Sequence, residues 1–583
     1  MRILSFILLA LFSLPVSTSH ARPATEKVPA KMKNVRLKII ETSDVHGNYF
    51  PYDFMDRKPG VGSLARIETY VKGARKQMGA DKVLLLDNGD ILQGQPTAYY
   101  YNYIDTTSTH ACAAVLNYMR YDAAAVGNHD VETGHAVYDR WVRECKFPML
   151  GANTIEVKTG KPYWKPYTII RKGGVRIAVL GMLTPGIPTW LPENLWRGLR
   201  FDDLVLTAQK YMPEMRRQAD LVVGLFHSGV GREDATGTLN ENASLQVARE
   251  VPGFDIILCG HDHRQACRTI ANKEGGIVQI LNPAANAGYV AVADVSFDAQ
   301  GRKTITGSIV DVRDLAPDAD FVKEFSPQIE AVKAFTGAVI GYNKIAIDTR
   351  PSFFGPSAFV DFIHQLQMRI SGASLSFAAP LTFDAEIPAG EIHMSDMFNL
   401  YRYENQLYTM RLSGKEIKDF LEYSYANWAN TMQQPTDHLL IFNPKTIEAK
   451  ETWQRLAHPN FNFDSAAGLI YTVDVRRPKG EKVHIISLAN GEPFDLEKKD
   501  YLVAVNSYRG NGGGGLLTQG AGIPKEELPK RIVKSTDKDL RFYLMQEIKR
   551  QGTITPKALN QWKFVPEDWA TKAAHADSLI LFK

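Results

Sequence analysis

The 583-residue chain is poor in cysteine, has no block of like charge and, past its first residues, no long apolar run. Four cysteines (Cys112, Cys145, Cys259 and Cys267) are too few to staple a chain of this length, so its stability must come from packed cores. Cys259 lies in an apolar, strand-like run, where a buried thiol is the default. Pairing of Cys259 with Cys267, or of Cys112 with Cys145, stays open. The net charge is only +4 and lysine and arginine are dispersed, which excludes a basic face for a nucleic-acid polymer or a membrane surface. A small anion is not excluded, because it needs a local site only. Internal repeats and low-complexity tracts are also lacking.

The one sustained apolar stretch is N-terminal. Arg2 precedes an apolar run from Ile3 to Leu14, followed by Pro15, small residues and Ser19-His20-Ala21. This is the order of a secretory signal peptide over residues 1–21, cleaved after Ala21. The run falls short of the ~20 residues that span a bilayer, and no cysteine is placed there for acylation. The expected product is a periplasmic or secreted protein that is free of the membrane after cleavage, and a monomer.

The remaining length exceeds what one hydrophobic core supports, so two domains are expected. Residues 35–314 alternate strand-like and helix-like segments. Val83-Leu84-Leu85-Leu86, Leu221 to Phe226 and Ile256-Ile257-Leu258 read as strands buried on both faces. Leu64, Ile67 and Val71 form one helical stripe. The pattern predicts a layered α/β domain. Residues 315–340 read as a connector helix carrying Phe321, Phe325, Ile329, Val332 and Phe335, with a kink or break at Pro327. A second domain, richer in tyrosine and phenylalanine, is expected over 341–566, followed by a short tail.

Five clusters in the first domain place metal-binding residue types just after an apolar run. They are Asp44-Val45-His46, Asp87-Asn88-Gly89-Asp90, Gly127-Asn128-His129-Asp130, His227-Ser228-Gly229 and Gly260-His261-Asp262-His263. In α/β sheets ligands bind beyond the carboxyl ends of strands, so clusters far apart in sequence can converge. Mixed Asp, Asn and His donors suit Zn, Mn, Fe or Co. A single Asp-x-His is more often a surface turn than a ligand. Five such clusters in this order are not a chance pattern.

That order, Asp-x-His, Gly-Asp, Gly-Asn-His, His, Gly-His-x-His, resembles the calcineurin-like metallophosphoesterases. Three later segments resemble the C-terminal domain of the 5′-nucleotidase / 2′,3′-cyclic-nucleotide 2′-phosphodiesterase family: Asn399 to Asn405, Leu412 to Glu422, and Val505 to Gly513. The resemblance implies an α/β (α+β) architecture: a four-layer αββα sandwich, a connector helix and a C-terminal α/β nucleotide-binding domain. It implies two divalent cations sharing Asp90, one held by Asp44, His46, Asp90 and His263, the other by Asp90, Asn128, His227 and His261. Such a pair acidifies a bound water and clamps the phosphoryl oxygens during in-line attack. His129 is then free to act on the substrate. The carboxylate that orients it is Glu132, where the family commonly has Asp, or else Asp130. Tyr403 and Tyr508 would stack on the base of a nucleotide substrate.

Two departures bear on which ester is cut. The stretch Phe377-Ala-Ala-Pro-Leu-Thr-Phe383 lacks the arginine of strict 5′-nucleotidases, and Gly512-Gly-Gly-Gly515 lacks their ribose-binding aspartate, at Gly514. Together with Tyr508-Arg509, these favour the 2′,3′-cyclic phosphodiesterase / 3′-nucleotidase branch. A 5′-nucleotidase or nucleotide-sugar hydrolase is the alternative. A binding protein with a dead phosphatase fold is opposed by the complete ligand set.

Overall fold

The run Val83-Leu84-Leu85-Leu86 explains the layering of the first domain. Val83 and Leu85 pack against helices, among them Leu64–Met78, whose Leu64, Ile67 and Val71 are fully buried. Leu84 and Leu86 point the other way, into a core shared with a second sheet through Ile177, Val179, Val223 and Leu258. The second sheet repeats the arrangement: Ala178, Leu180 and Met182 face the helix Leu204–Gln218. Because side chains alternate across a strand, each strand feeds two cores. The result is the expected αββα sandwich.

The computed structural model describes residues 34–583, so the predicted leader, residues 1–21, lies outside the described residues. Each sheet of the sandwich has six strands. In one, Val35–Thr42, Val83–Asp87, Ala123–Ala125 and Met149–Leu150 are parallel neighbours in that order, extended antiparallel by Tyr289–Phe297 and Lys303–Asp311. In the other, Val175–Leu183, Leu221–His227, Ile256–Cys259 and Ile277–Asn282 are parallel. Parallel strands aim all their carboxyl ends to one side.

The predicted connector is two helices, Ala319–Glu324 and Ser326–Gly337, with Pro327 in the first turn of the second, where its missing N–H costs nothing. It is no free linker. Phe321 and Phe325 lie edge-on or tilted on Phe50, with ring centroids 6.4 and 6.0 Å away, inside the first domain's core.

The second domain is built on a five-stranded sheet whose centre is Tyr501–Asn506, between Leu375–Ala378 and Gln406–Leu412. Helix Gly414–Trp428 covers it, opened by a capping box between Ser413 and Glu416. Trp428 stacks on Tyr425 at 5.0 Å and Phe463 at 5.4 Å. The segment after Pro566 is not a loose tail. It forms the helix Glu567–Phe582, and Ala570, Ala573 and Leu581 enter this core, so the packed unit extends past residue 566. All four cysteines are free thiols, with Cys112 and Cys259 buried.

Candidate metal centre

All five clusters meet at the carboxyl ends of the parallel strands. Val35–Thr42 leads to Asp44 and His46, Val83–Asp87 to Asp90, and Ala123–Ala125 to Asn128. Leu221–His227 ends on His227, and Ile256–Cys259 leads to His261 and His263. Two groups of ligand atoms result, each within 4.8 Å: Asp44, His46, Asp90 and His263; and Asp90, His227 and His261. Asp90 is common to both. Asn128 joins the second group, its Oδ1 lying 2.8 Å from His261 Nδ1 and 3.1 Å from His227 Nε2.

These residues fit divalent cations on three structural grounds. First, two of the imidazoles have one nitrogen committed to a main-chain carbonyl. His46 Nδ1 donates to Gln93 O at 3.2 Å and His227 Nδ1 to Asn88 O at 2.7 Å, which leaves each Nε2 lone pair aimed inward. Second, the inward atoms crowd one another. His46 and His263 set their Nε2 atoms 3.0 Å apart, and the buried Oδ2 of Asp90 lies 3.1 Å from His227 Nε2 yet forms no hydrogen bond. Third, Gly127 permits the close approach, since a Cβ there would sit 2.1 Å from Asp90 Oδ1. Burial opposes a charge on Asp90, but His227, His129 and His46 outweigh it and hold the carboxyl well below its ordinary range.

His129 follows Asn128 on the short helix Asn128–Glu132, not on an extended segment. Its backbone N–H donates to Asp90 Oδ1 at 2.7 Å and its ring packs edge-on to His46 with centroids 5.5 Å apart. Nδ1 meets Glu132 Oε2 at 2.5 Å, one helical turn on. Burial disfavours its charge, but Asp90 and then Glu132 prevail and raise its pKa to about 10. Cations on Asp90 would cancel that carboxylate's field and leave Glu132 as the main support.

Asp130, the alternative carboxylate for His129, is engaged elsewhere. Its carboxylate accepts the backbone N–H groups of Asp90, Ile91, Leu92 and Gly127, all at 2.8–2.9 Å, and so fixes the loop that carries Asp90. Asn88 has a similar role beneath the site, donating to Glu41 Oε1 at 2.9 Å and to Phe226 O at 3.1 Å across the two sheets.

The second domain faces this centre. Tyr103 donates to Glu404 Oε2 at 3.1 Å, beside Tyr403, and Asn511 donates to Trp190 O at 3.1 Å, near Tyr508. Tyr403 and Tyr508 are half-buried and both pack edge-on against Phe461. Residue patterns alone missed Phe461, Trp190 and Glu241. The Trp190 ring lies 5.5 Å from that of His261, whose Nε2 is 2.9 Å from Glu241 Oε1. All three are in loops or short turns, where no periodicity marks a side chain. The only available signal was an aromatic or acidic residue among Pro, Asn and Gly.

Comparisons with known proteins agree with this architecture. The calcineurin-like phosphoesterase model matches residues 37–265, and the model of the 5′-nucleotidase C-terminal domain matches residues 335–520. Fold and site therefore define a two-domain metallophosphoesterase, an enzyme that hydrolyses phosphoric esters with divalent metal. The chain belongs to the calcineurin-like phosphoesterases that carry a 5′-nucleotidase C-terminal domain. It is 27% identical, over 617 residues, to the 2′,3′-cyclic-nucleotide 2′-phosphodiesterase/3′-nucleotidase of Yersinia enterocolitica, covering 94% of this chain and 90% of that one. It is also 27% identical over 620 residues to the trifunctional nucleotide phosphoesterase protein YfkN of Bacillus subtilis, spanning 95% of this chain but 40% of that longer protein. The solved 5′-nucleotidase precursor of Thermus thermophilus shares the fold, with a TM-score of 0.62 at 22% identity over 91% of this chain and 100% of that one.

Proposed function

We propose that the chain is an exported hydrolase of nucleotide phosphate esters that uses two divalent cations. Its 2′,3′-cyclic-nucleotide 2′-phosphodiesterase and 3′-nucleotidase activity exceeds its 5′-nucleotidase activity. The observation that carries this is Asp90, a buried carboxylate common to two ligand groups, with one oxygen lacking any hydrogen bond. Bound cations supply Lewis-acid activation of water and charge neutralisation at the phosphoryl group. His129, backed by Glu132, delivers a proton to the leaving oxygen. Tyr403 and Tyr508 hold the base, so the nucleotide bridges the cleft between the domains.

The cyclic and 3′ preference is supported by the curated name of the Yersinia relative and by the loop after Tyr508. Gly514 has φ 70°, and a Cβ there would lie 2.3 Å from Asn462 Oδ1 and 2.4 Å from Arg509 Nη1. A side chain here would be strained by the positive φ and would have to displace Asn462 or Arg509. Export is supported by the leader pattern in residues 1–21, and no helix among the described residues is long and apolar enough to cross a membrane.

The test is kcat/KM on 2′,3′-cyclic AMP, 3′-AMP, 5′-AMP and a nucleotide sugar, with metal content measured in parallel. The cyclic and 3′ substrates are expected to lead. A higher value for 5′-AMP or the nucleotide sugar would overturn the preference and leave the metal chemistry standing.

A further inference from the structure

Phe461 stands on a single helical turn, Asn460–Asn462, directly after Pro459, and its ring is half-buried. Tyr403 meets that ring at a centroid distance of 6.1 Å with the planes at 74°, and Tyr508 meets it at 6.2 Å and 81°. Two tyrosines from separate segments of the second domain thus converge on one phenylalanine. We infer that Phe461 is the inner wall of the base slot and gives this enzyme a preference for purine over pyrimidine nucleotides, a role that depends on Tyr403 and Tyr508 being the stacking pair.

The wall is anchored by a group with no other use. Arg509, next to Tyr508, is only 1% exposed and pairs with the equally buried Asp464 at 2.5 Å. Its remaining N–H groups go to Phe461 O at 3.0 Å, Asn462 Oδ1 at 3.2 Å and Gly513 O. Buried guanidinium groups persist only when their donors are matched, and here every partner lies between Phe461 and Asp464 or on the loop after Tyr508. Asn460 ties the same turn down from the other side, donating to Pro380 O at 2.6 Å. Arg509 therefore fixes Phe461 and Tyr508 relative to each other and does not reach for a phosphate. Core aromatics of this domain, such as Phe420 and Trp428, are at most 1% exposed, whereas Phe461 is only half-buried.

The chemistry follows from shape. A base held between two tyrosine faces presents its edge to whatever closes the slot, and base edges carry the positive C–H and N–H groups that favour an aromatic face. The two fused rings of a purine extend further than the single ring of a pyrimidine. A wall at the end of the slot is therefore touched by purines and missed by pyrimidines. Phenylalanine has no hydrogen-bonding group, so adenine and guanine are not told apart.

The experiment uses the full chain loaded with metal, with Phe461→Leu as the main variant and Phe461→Met as a second should the first lose thermal stability. KM is measured for adenine, guanine, uracil and cytosine nucleotides of the preferred ester, beside a base-free aryl phosphate. Loss of one edge-to-face contact is expected to raise KM for both purines about 2- to 10-fold, with pyrimidines changed less than about 2-fold and aryl phosphate unchanged. An equal rise for purines and pyrimidines, or no rise for either, overturns the wall. Tyr403→Ala is run alongside. If that variant leaves nucleotide KM unchanged, the stacking site itself is wrong; if it raises KM while Phe461→Leu does not discriminate, only the wall fails.

Discussion

Asp44, His46, Asp90, His261 and His263 share a backbone state as well as a destination: their φ values are 50°, 48°, 54°, 74° and 56°. A residue with a Cβ in this left-handed region is strained by about 1–2 kcal/mol. The strain collects where the ligand atoms converge, and each strained turn bends a strand end so that its side chain points back at the centre. Within that frame Asp90 and His129 have separable work. Asp90→Ala is expected to abolish turnover and remove both metals, while His129→Ala should lower kcat by about 10²–10⁴-fold with metal content unchanged. Metal analysis beside steady-state kinetics checks both. One fully occupied metal in Asp90→Ala would count against a shared ligand, and metal loss in His129→Ala would count against a role on the substrate.

Among the elements, the helices Ala358–Ser371 and Leu540–Gln551 are tied by a carboxylate between two cations. Glu547, with a side chain 5% exposed, contacts Arg550 at 2.7 Å and Arg369 at 2.5 Å. Arg550 lowers its pKa against the opposing effect of burial, with Gln551 and Arg369 adding to the effect, to about 2. A carboxyl depressed in the folded state stabilises above its unfolded pKa of about 4.3, and that gain disappears as pH falls toward the folded value. Wild type should therefore exceed Glu547→Gln in Tm by a constant margin above pH ~4.3, and the margin should shrink as pH falls toward 2. Thermal melts across pH 3–7 decide it; a margin that does not change with pH would mean that the pair contributes packing alone.

At the scale of the whole molecule, the cleft is set by where the second domain touches the first. Arg541, 1% exposed, donates to Tyr401 O at 3.1 Å and Arg402 O at 2.8 Å and lies 4.2 Å from the Phe398 ring centre, so it shapes the turn that carries Tyr403. Tyr103 reaches that turn from the metal-bearing domain through Glu404. The connector helix Ser326–Gly337 packs into the first domain through Ile329 and Val332, and its end is tied to the second domain by Ser395 N–H, which donates to Thr336 O at 3.0 Å. Tyr103→Phe should lower kcat/KM for nucleotides about 2- to 10-fold, the value of one hydrogen bond, and spare a base-free aryl phosphate. Equal loss on both substrates would place the effect in the metal centre instead.

The amino-acid pattern by itself determined the elements and which of their residues carry chemistry. The unbroken apolar run Val83 to Leu86, the helical stripe of Leu64, Ile67 and Val71, the break at Pro327 and the five ligand clusters are all local features, written over a few residues each. What only the tertiary structure decided are contacts between segments distant in sequence. Asp130 is adjacent to His129, yet it serves the loop carrying Asp90, while Glu132 takes the imidazole. Arg509 turned out to be a buried anchor, Phe461 the ring on which two tyrosines meet, and the segment after Pro566 part of a core. Local periodicity fixes the direction in which a side chain leaves its element. Which side chain it then meets depends on how all the layers pack together.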